Sequence, residues 1–289
     1  MAVASSILVL GTAPALTWAT GRCLRRAGHL PHTLVWHRDA PAAALKRLAT
    51  IAPGLIMAVD GDSAILLAGA QLPACLAPDP PLIATLHDSW NLVRLLHAIG
   101  LPAPDSMRAD SAVQLREQSL VYPIVTRPLT QHGGRRARLH HHPGSVARWR
   151  TYPVLAQSYM PGLAVGASFL AREGQVLACS IFRHGRSGAL RFYASVRVRD
   201  YVERLAAACH YSGAGHLALR YNPPRDSYAI LGLRAGFDLS LLHAARAGIN
   251  FPALLLQPPA TLALPKPGRI HLPRLERTLL WTRKFVGSG

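Results

Sequence analysis

Lysine is almost missing from this chain. Among 289 residues only Lys46, Lys266 and Lys284 occur, so arginine supplies nearly all of the 32 basic side chains. Acids are scarce too: 14 Asp and Glu leave a formal net charge of +18. An arginine bias of this kind reflects a GC-rich genome as easily as a function, but either way the surface attracts anions such as nucleotides, nucleic acid, acidic proteins or anionic lipid. No compact run of arginines interleaved with aromatics occurs, which argues against a nucleic-acid partner. No stretch reaches the ~20 apolar residues of a membrane-spanning helix. The four cysteines, Cys23, Cys75, Cys179 and Cys209, form no CxxC pair, which excludes a zinc ribbon or dithiol motif. They read as free thiols in a reducing, cytoplasmic setting. Neither His-Glu-x-x-His nor Gly-x-Ser-x-Gly occurs, so zincin and α/β-hydrolase chemistry have no motif here.

Half of the residues are hydrophobic and 16% are charged, the balance of a globular chain long enough for one large domain or several small ones. The start resembles a signal peptide in its apolar run and its Ala13-Pro14-Ala15 site, but it lacks a basic n-region and breaks at Gly11. Ile7–Gly11 reads instead as a parallel strand buried on both faces. A helix is expected from about Ala15 to Ala27, with Gly28 as its stop. Strands follow at Thr33–Trp36 and Leu55–Val59, then a helix at Ser63–Leu72. The Asp60-Gly61-Asp62 segment sits at a strand end, where open α/β sheets bind ligands, but a turn with a helix N-cap is the favoured reading. Asp88–Ile99 repeats Leu92, Leu95, Leu96 and Ile99 at helical spacing and stops at Gly100.

After the rigid Leu101-Pro102-Ala103-Pro104 connection the pattern turns to strands at Tyr122–Pro128 and Val154–Tyr159. A hairpin turns at Glu173-Gly174, a helix covers Tyr201–Tyr211, and two strands cover His216–Tyr221 and Tyr228–Leu233. A last helix is expected at Leu239–Ala247. The three histidines His140, His141 and His142 alternate in direction on a strand and do not converge on one ion, so they read as a solvated basic loop. Residues beyond about Pro258 read as a surface tail.

This order of segments resembles the ATP-grasp superfamily, carboxylate–amine ligase type, from about Ile7 to Leu256. Gly100-Leu101-Pro102-Ala103-Pro104 is similar to the family's Gly-Ile-Pro-x-Pro bridge. Tyr122–Pro128 is similar to its Phe-Pro-Val-Val-x-Lys-Pro strand, and Gln131–Arg138, with Gly133 and Gly134, to its loop over the phosphates. Ala156–Gly162 is similar to its adenine hinge, and Ala245–Pro252 to the helix end that closes the domain. The resemblance implies a mixed α/β and α+β fold: a Rossmann-like domain over residues 1–104, an ATP-grasp-like domain over 105–258, and a proline-rich basic tail over 259–289.

It also implies ATP, Mg²⁺ and a set of binding residues, and here the chain departs from the pattern. The lysine of the first strand is Arg127, and no lysine lies between Arg47 and Pro265. The Glu-x-Asn-Pro-Arg motif is replaced by Gly232-Leu233-Arg234-Ala235-Gly236, and Arg220 stands at or near the family's other acid. Asp226 and Asp238 are the acids left to hold a metal. Ser158 replaces the hinge glutamate, where contact runs mainly through backbone. The expected nucleotide or anion contacts are therefore Arg127, Gly133, Gly134, Gln157, Ser158, Tyr159, Arg220 and Arg234. Two readings follow. One is a degenerate nucleotide- or anion-binding protein, a pseudoenzyme or scaffold with a possible acidic protein partner. The other is a divergent ATP-dependent ligase that forms a C–N bond through an acyl phosphate.

Overall fold

The computed structural model describes residues 6–117, 119–130, 137–146, 152–185 and 188–285. The chain divides into two units. One comprises Met1–Ile83, Gly166–His216 and Arg234–Gly289; the other comprises Ala84–Val165 and Leu217–Leu233. The sequence pattern put a boundary near residue 104 instead, because composition reveals only contiguous segments. Three long strands, Leu163–Arg172, Gly213–Asn222 and Ser227–Ala235, are each divided between the units.

In the first unit, Ile7–Gly11 is the central strand of a parallel sheet, with His32–Val35 on one side and Leu55–Ala58 on the other. Leu8, Val9 and Leu10 are buried, as a strand covered on both faces requires. The helix Pro14–Arg26 begins with proline in its first turn, where an N–H is dispensable, and ends with Arg25 and Arg26. Gly28 takes a φ of +87°, and the His29 N–H returns to the Leu24 carbonyl at 3.1 Å, a glycine-dependent helix stop. The helix Pro41–Ile51 escapes sequence periodicity because only Ala44 and Leu48, four apart, are buried.

Asp60 ties the sheet end to the following helix, Gly61–Gly69. Its Oδ1 accepts the Ser63 N–H at 2.9 Å as an N-cap, and its Oδ2 accepts the Thr12 N–H at 2.8 Å and hydroxyl at 2.9 Å. Gly11 makes this approach possible, since a side chain there would run into Thr17 and Val59.

The same unit holds the antiparallel strands Gln175–His184, Leu190–Phe192 and Gly268–Ile270. The expected hairpin is present between Leu163–Arg172 and Gln175–His184, with Glu173 and Gly174 both at positive φ, the form that suits the strand twist. Beyond Pro258 the expected surface tail gives way to folded structure. Gly268–Ile270 pairs with Leu190–Phe192, and the helix Arg274–Phe285 packs on Pro14–Arg26. Glu276 is the reason. It is 3% exposed, and arginines from two helices converge on it: Arg22 Nε and Arg26 Nη2 on Oε1, and Arg246 Nε at 3.5 Å from Oε2. One acid among the basic residues of this segment locks it down.

The second unit is built on an antiparallel sheet in the order Ser106–Ala109, Val154–Ser158, Ile124–Pro128, Arg138–His140. The helix Ser89–Ala98, capped by Asp88 on the Trp90 and Asn91 N–H groups, packs Val93 and Trp90 on Leu129 and Leu155. A separate cluster joins Ile124, Val154 and Ala156 to Ala109, Leu115 and Val146. His140 is not the solvated residue the sequence suggested: it is 4% exposed, with Nε2 2.8 Å from the Thr126 hydroxyl. No helix among the described residues is long and apolar enough to cross a membrane.

Removing a buried ion-pair partner leaves the remaining charges uncompensated. Glu276→Gln is expected to cost about 2–3 kcal/mol, at the low end for a buried pair because its arginines are partly exposed. Arg246→Ala, the longest of the contacts, should cost less than about 1 kcal/mol. Urea denaturation of both variants measures the difference.

Candidate functional site

Arg127 lies on the strand Ile124–Pro128, opposite Leu155, on the face that meets the helix Ser89–Ala98. Its Nε and Nη2 are buried and have no hydrogen-bond partner among the described residues. Burial lowers its pKa to about 10, which leaves the guanidinium charged at neutral pH. A buried cation without a partner is costly, and its unmet N–H groups fit an oxyanion, two oxygens at a time.

The other expected contacts of the second unit are more fully engaged. Gln157 is buried and donates from Nε2 to the Ser106 hydroxyl at 2.8 Å. The Ser158 N–H donates to the Asp105 carbonyl at 2.9 Å and the Tyr159 N–H to the Pro123 carbonyl at 3.0 Å. Those two amide protons are thus spent inside the unit, leaving carbonyls and the part-exposed Tyr159 ring as the available hinge groups. Arg220 donates from Nη1 to the Gly162 carbonyl at 3.2 Å, and Asp226 accepts the Tyr221 hydroxyl at 3.0 Å in an exposed turn. Gly133 and Gly134 lie outside the described residues.

Arg234 and Asp238 belong to the first unit, where Arg234 is exposed and Asp238 enters a polar network that sequence reasoning missed. Ser168 donates from Oγ to Asp238 Oδ1 at 2.7 Å. Ser240 donates from Oγ to the same oxygen at 2.6 Å and from its backbone N–H to Oδ2 at 3.1 Å. Ser168 Oγ also lies 3.0 Å from His216 Nδ1. The serine's single proton is committed to the carboxylate, so the serine oxygen accepts and His216 Nδ1 carries a hydrogen. His216 stacks on Phe182 at 5.9 Å between centroids, over Gly166, where a Cβ would collide with Phe182. Ser168 was detectable only as a hydroxyl in the buried, otherwise apolar run Val165–Ala171.

Electrostatics follow the geometry. Burial would raise the Asp238 carboxyl, but His216 and the Ser240 and Ser168 hydrogen bonds more than offset it and hold it below the ordinary value. His216 is pushed down by burial, with Asp238 opposing and Arg234 and His184 adding to the fall. Burial likewise lowers His243, whose Nε2 is 3.2 Å from the Gly188 carbonyl. Among the described residues no three His, Cys, Asp or Glu side chains group into a metal set. With Oδ1 accepting two hydroxyls and Oδ2 an amide, Asp238 is a poor donor for Mg²⁺, an ion that demands near-ideal oxygen geometry.

A pH dependence of stability follows. His140, His216 and His243 all have folded pKa values below their ordinary one, so as pH falls below about 6.5 the unfolded chain takes up protons that the folded chain refuses. Stability is therefore expected to drop from about pH 7.5 to about pH 5.5, and again in stronger acid as Asp238 protonates. Urea midpoints at the two pH values test the first step, and equal midpoints would contradict it.

Neither protein-family models nor curated protein sequences give a match to this chain. Solved structures do. An L-amino acid ligase from Bacillus licheniformis superposes with a TM-score of 0.67 at 14% identity, covering 87% of this chain and 73% of that one. An N5-carboxyaminoimidazole synthase from Aspergillus clavatus, in complex with ADP and 5-aminoimidazole ribonucleotide, gives 0.69 at 14%, covering 91% and 80%. A biotin carboxylase–β-γ-ATP complex from Campylobacter jejuni gives 0.70 at 10%, covering 88% and 70%. At such identities the likeness speaks for architecture, and it agrees with the order of segments read along the sequence: this chain has the fold of the ATP-grasp carboxylate–amine ligases.

Proposed function

We propose that this ATP-grasp-fold chain is a nucleotide- or anion-binding protein whose ligase chemistry is weakened or lost. The observation that carries the reading is Arg127, a buried guanidinium with two N–H-bearing nitrogens unpartnered among the described residues. Such a group is stable in the folded chain when an anion offsets its charge, and phosphate oxygens match its planar fork. The solved relatives in complex with ADP or with a β-γ-ATP ligand favour a nucleotide over a simple anion.

The loss of chemistry rests on the donor set. Gly232 offers no side chain where the resemblance calls for glutamate, Asp226 is engaged by Tyr221, and Asp238 is engaged by two serines. Arg127 and Arg220, both in the second unit, instead supply positive charge of the kind a metal would bring to a polyphosphate. An active ligase with Asp226 and Asp238 as metal ligands would first have to strip Asp238 of its hydroxyl partners. A cytoplasmic scaffold with an acidic protein partner is the role that remains for the +18 charge in the absence of a nucleotide.

Calorimetric titration with ATP, in Mg²⁺ and in EDTA, is expected to give similar affinities. Arg127→Ala should weaken binding by at least about tenfold, and Arg127→Lys by less, since lysine keeps the charge but not the fork. Mg²⁺-dependent ATP turnover above background would overturn the proposal in favour of the ligase.

A further inference from the structure

Three arginines meet across the strands Gln175–His184, Leu190–Phe192 and Gly268–Ile270. The antiparallel register sets Arg191 directly opposite Arg183 on one side and Arg269 on the other. Directly opposite residues project to the same face of a sheet with their Cα atoms about 5 Å apart, so the three side chains form one row about 10 Å long. Phe182 and Phe192, the next pair in register, point the other way into the core, where His216 stacks on Phe182. The row therefore lies on the sheet face opposite the Ser168–His216–Asp238 network. No run of sequence shows it, because its members are far apart along the chain.

The row is short of negative charge. Arg191 and Arg269 are exposed, and none of the three arginines has an ion-pair partner among the described residues. Arg183 rests on the Tyr193 ring, 5.2 Å from its centroid. The helix Val196–Ala208 packs on Gln175–His184, and its Glu203 and Arg199 act on Cys179, which shares the face of Arg183. Its two acids are already paired with its own arginines, Glu203 with Arg199 at 3.4 Å and Asp200 with Arg204 at 3.6 Å. Like charges directly opposite each other destabilise a sheet, and an acidic partner would relieve three in succession.

We infer that the Arg183–Arg191–Arg269 row is a docking surface for an acidic helix of a partner protein. Carboxylates three and four residues apart on a helix stand about 5–6 Å apart along one stripe, close to the spacing of the row. Same-face residues of an extended strand are about 6.6 Å apart, a poorer match. Single-stranded nucleic acid binds through bases stacked on open aromatic rings, and Tyr193 already carries Arg183 on its ring, which favours a protein. The row belongs to the first unit and Arg127 to the second, so the inference does not depend on nucleotide binding at Arg127.

Fluorescence anisotropy of the full-length protein at low salt is measured with two labelled alanine-based helical peptides of equal composition. One carries glutamates at positions i, i+4 and i+7, on one stripe, and the other carries them spread around the helix. The striped peptide is expected to bind at least about threefold more tightly, and Arg191→Thr should weaken it by about fivefold. Arg47→Ala, which removes an exposed charge from the helix Pro41–Ile51, should leave that affinity unchanged. No binding, equal binding of the two peptides, or equal losses in the two variants would overturn the site. So would an oligothymidylate that binds more tightly than the striped peptide and is weakened by Arg191→Thr, an outcome that assigns the row to nucleic acid. The repulsion is read without any partner: Arg191→Thr should raise the urea midpoint at low salt, and high salt should remove the gain. A midpoint that does not rise, or that rises equally at both salts, would contradict it. ATP titration of the wild-type protein reports on Arg127, so failure of either proposal is separable from failure of the other.

Discussion

A carboxylate taken out of water stays ionised only if hydrogen bonds and positive charge replace its hydration. This chain has few acids, and several of them hold its elements together under that constraint. Asp60 binds the loop after Ile7–Gly11 to the helix Gly61–Gly69 through three donors. Glu276 draws arginines of Pro14–Arg26 and Leu241–Arg246 to the C-terminal helix. Asp238 gathers Ser168, Ser240 and His216. In each case an acid joins segments far apart in sequence, and the surrounding fold depends on its being satisfied.

The complementary case is Arg127. Here the buried charge is positive, and no acid meets it among the described residues. The contrast with Glu276 is informative: where the chain needs a charge for structure it provides partners, and at Arg127 the described residues provide none. Nearly all basic residues being arginine matters at this position, because a guanidinium stays protonated under burial that would neutralise many amines. A planar fork with a retained charge suits phosphate even without a metal.

Much of the architecture was legible along the chain. Ile7–Gly11 announced itself by unbroken apolar residues, Asp88–Ile99 by its helical spacing of apolar residues, and Glu173-Gly174 as a hairpin turn. These features are local, set by backbone preference and periodicity. The helix Pro41–Ile51 was not legible, since alanine-rich segments bury too little to show a stripe. The C-terminal segment misled for a related reason: prolines and arginines suggested solvent, while the decisive residue was one glutamate, two of whose arginine partners lie some 250 positions away in sequence.

The candidate site divides in the same way. By itself the sequence determined the missing lysines, the glycine at position 232 and the arginines at 127, 220 and 234, because residue identity sets which charges and ligands exist. It also determined the order of segments that the solved structures share. Only the tertiary structure decided which of those groups are spent. Arg127 finds no partner among the described residues, the Ser158 and Tyr159 amides are taken by the Asp105 and Pro123 carbonyls, and Asp238 is enclosed by Ser168, His216 and Ser240. The physical reason is that hydrogen bonding and desolvation are pairwise and spatial. A side chain's chemistry is written in its own residue, but its availability depends on neighbours that the chain supplies from elsewhere.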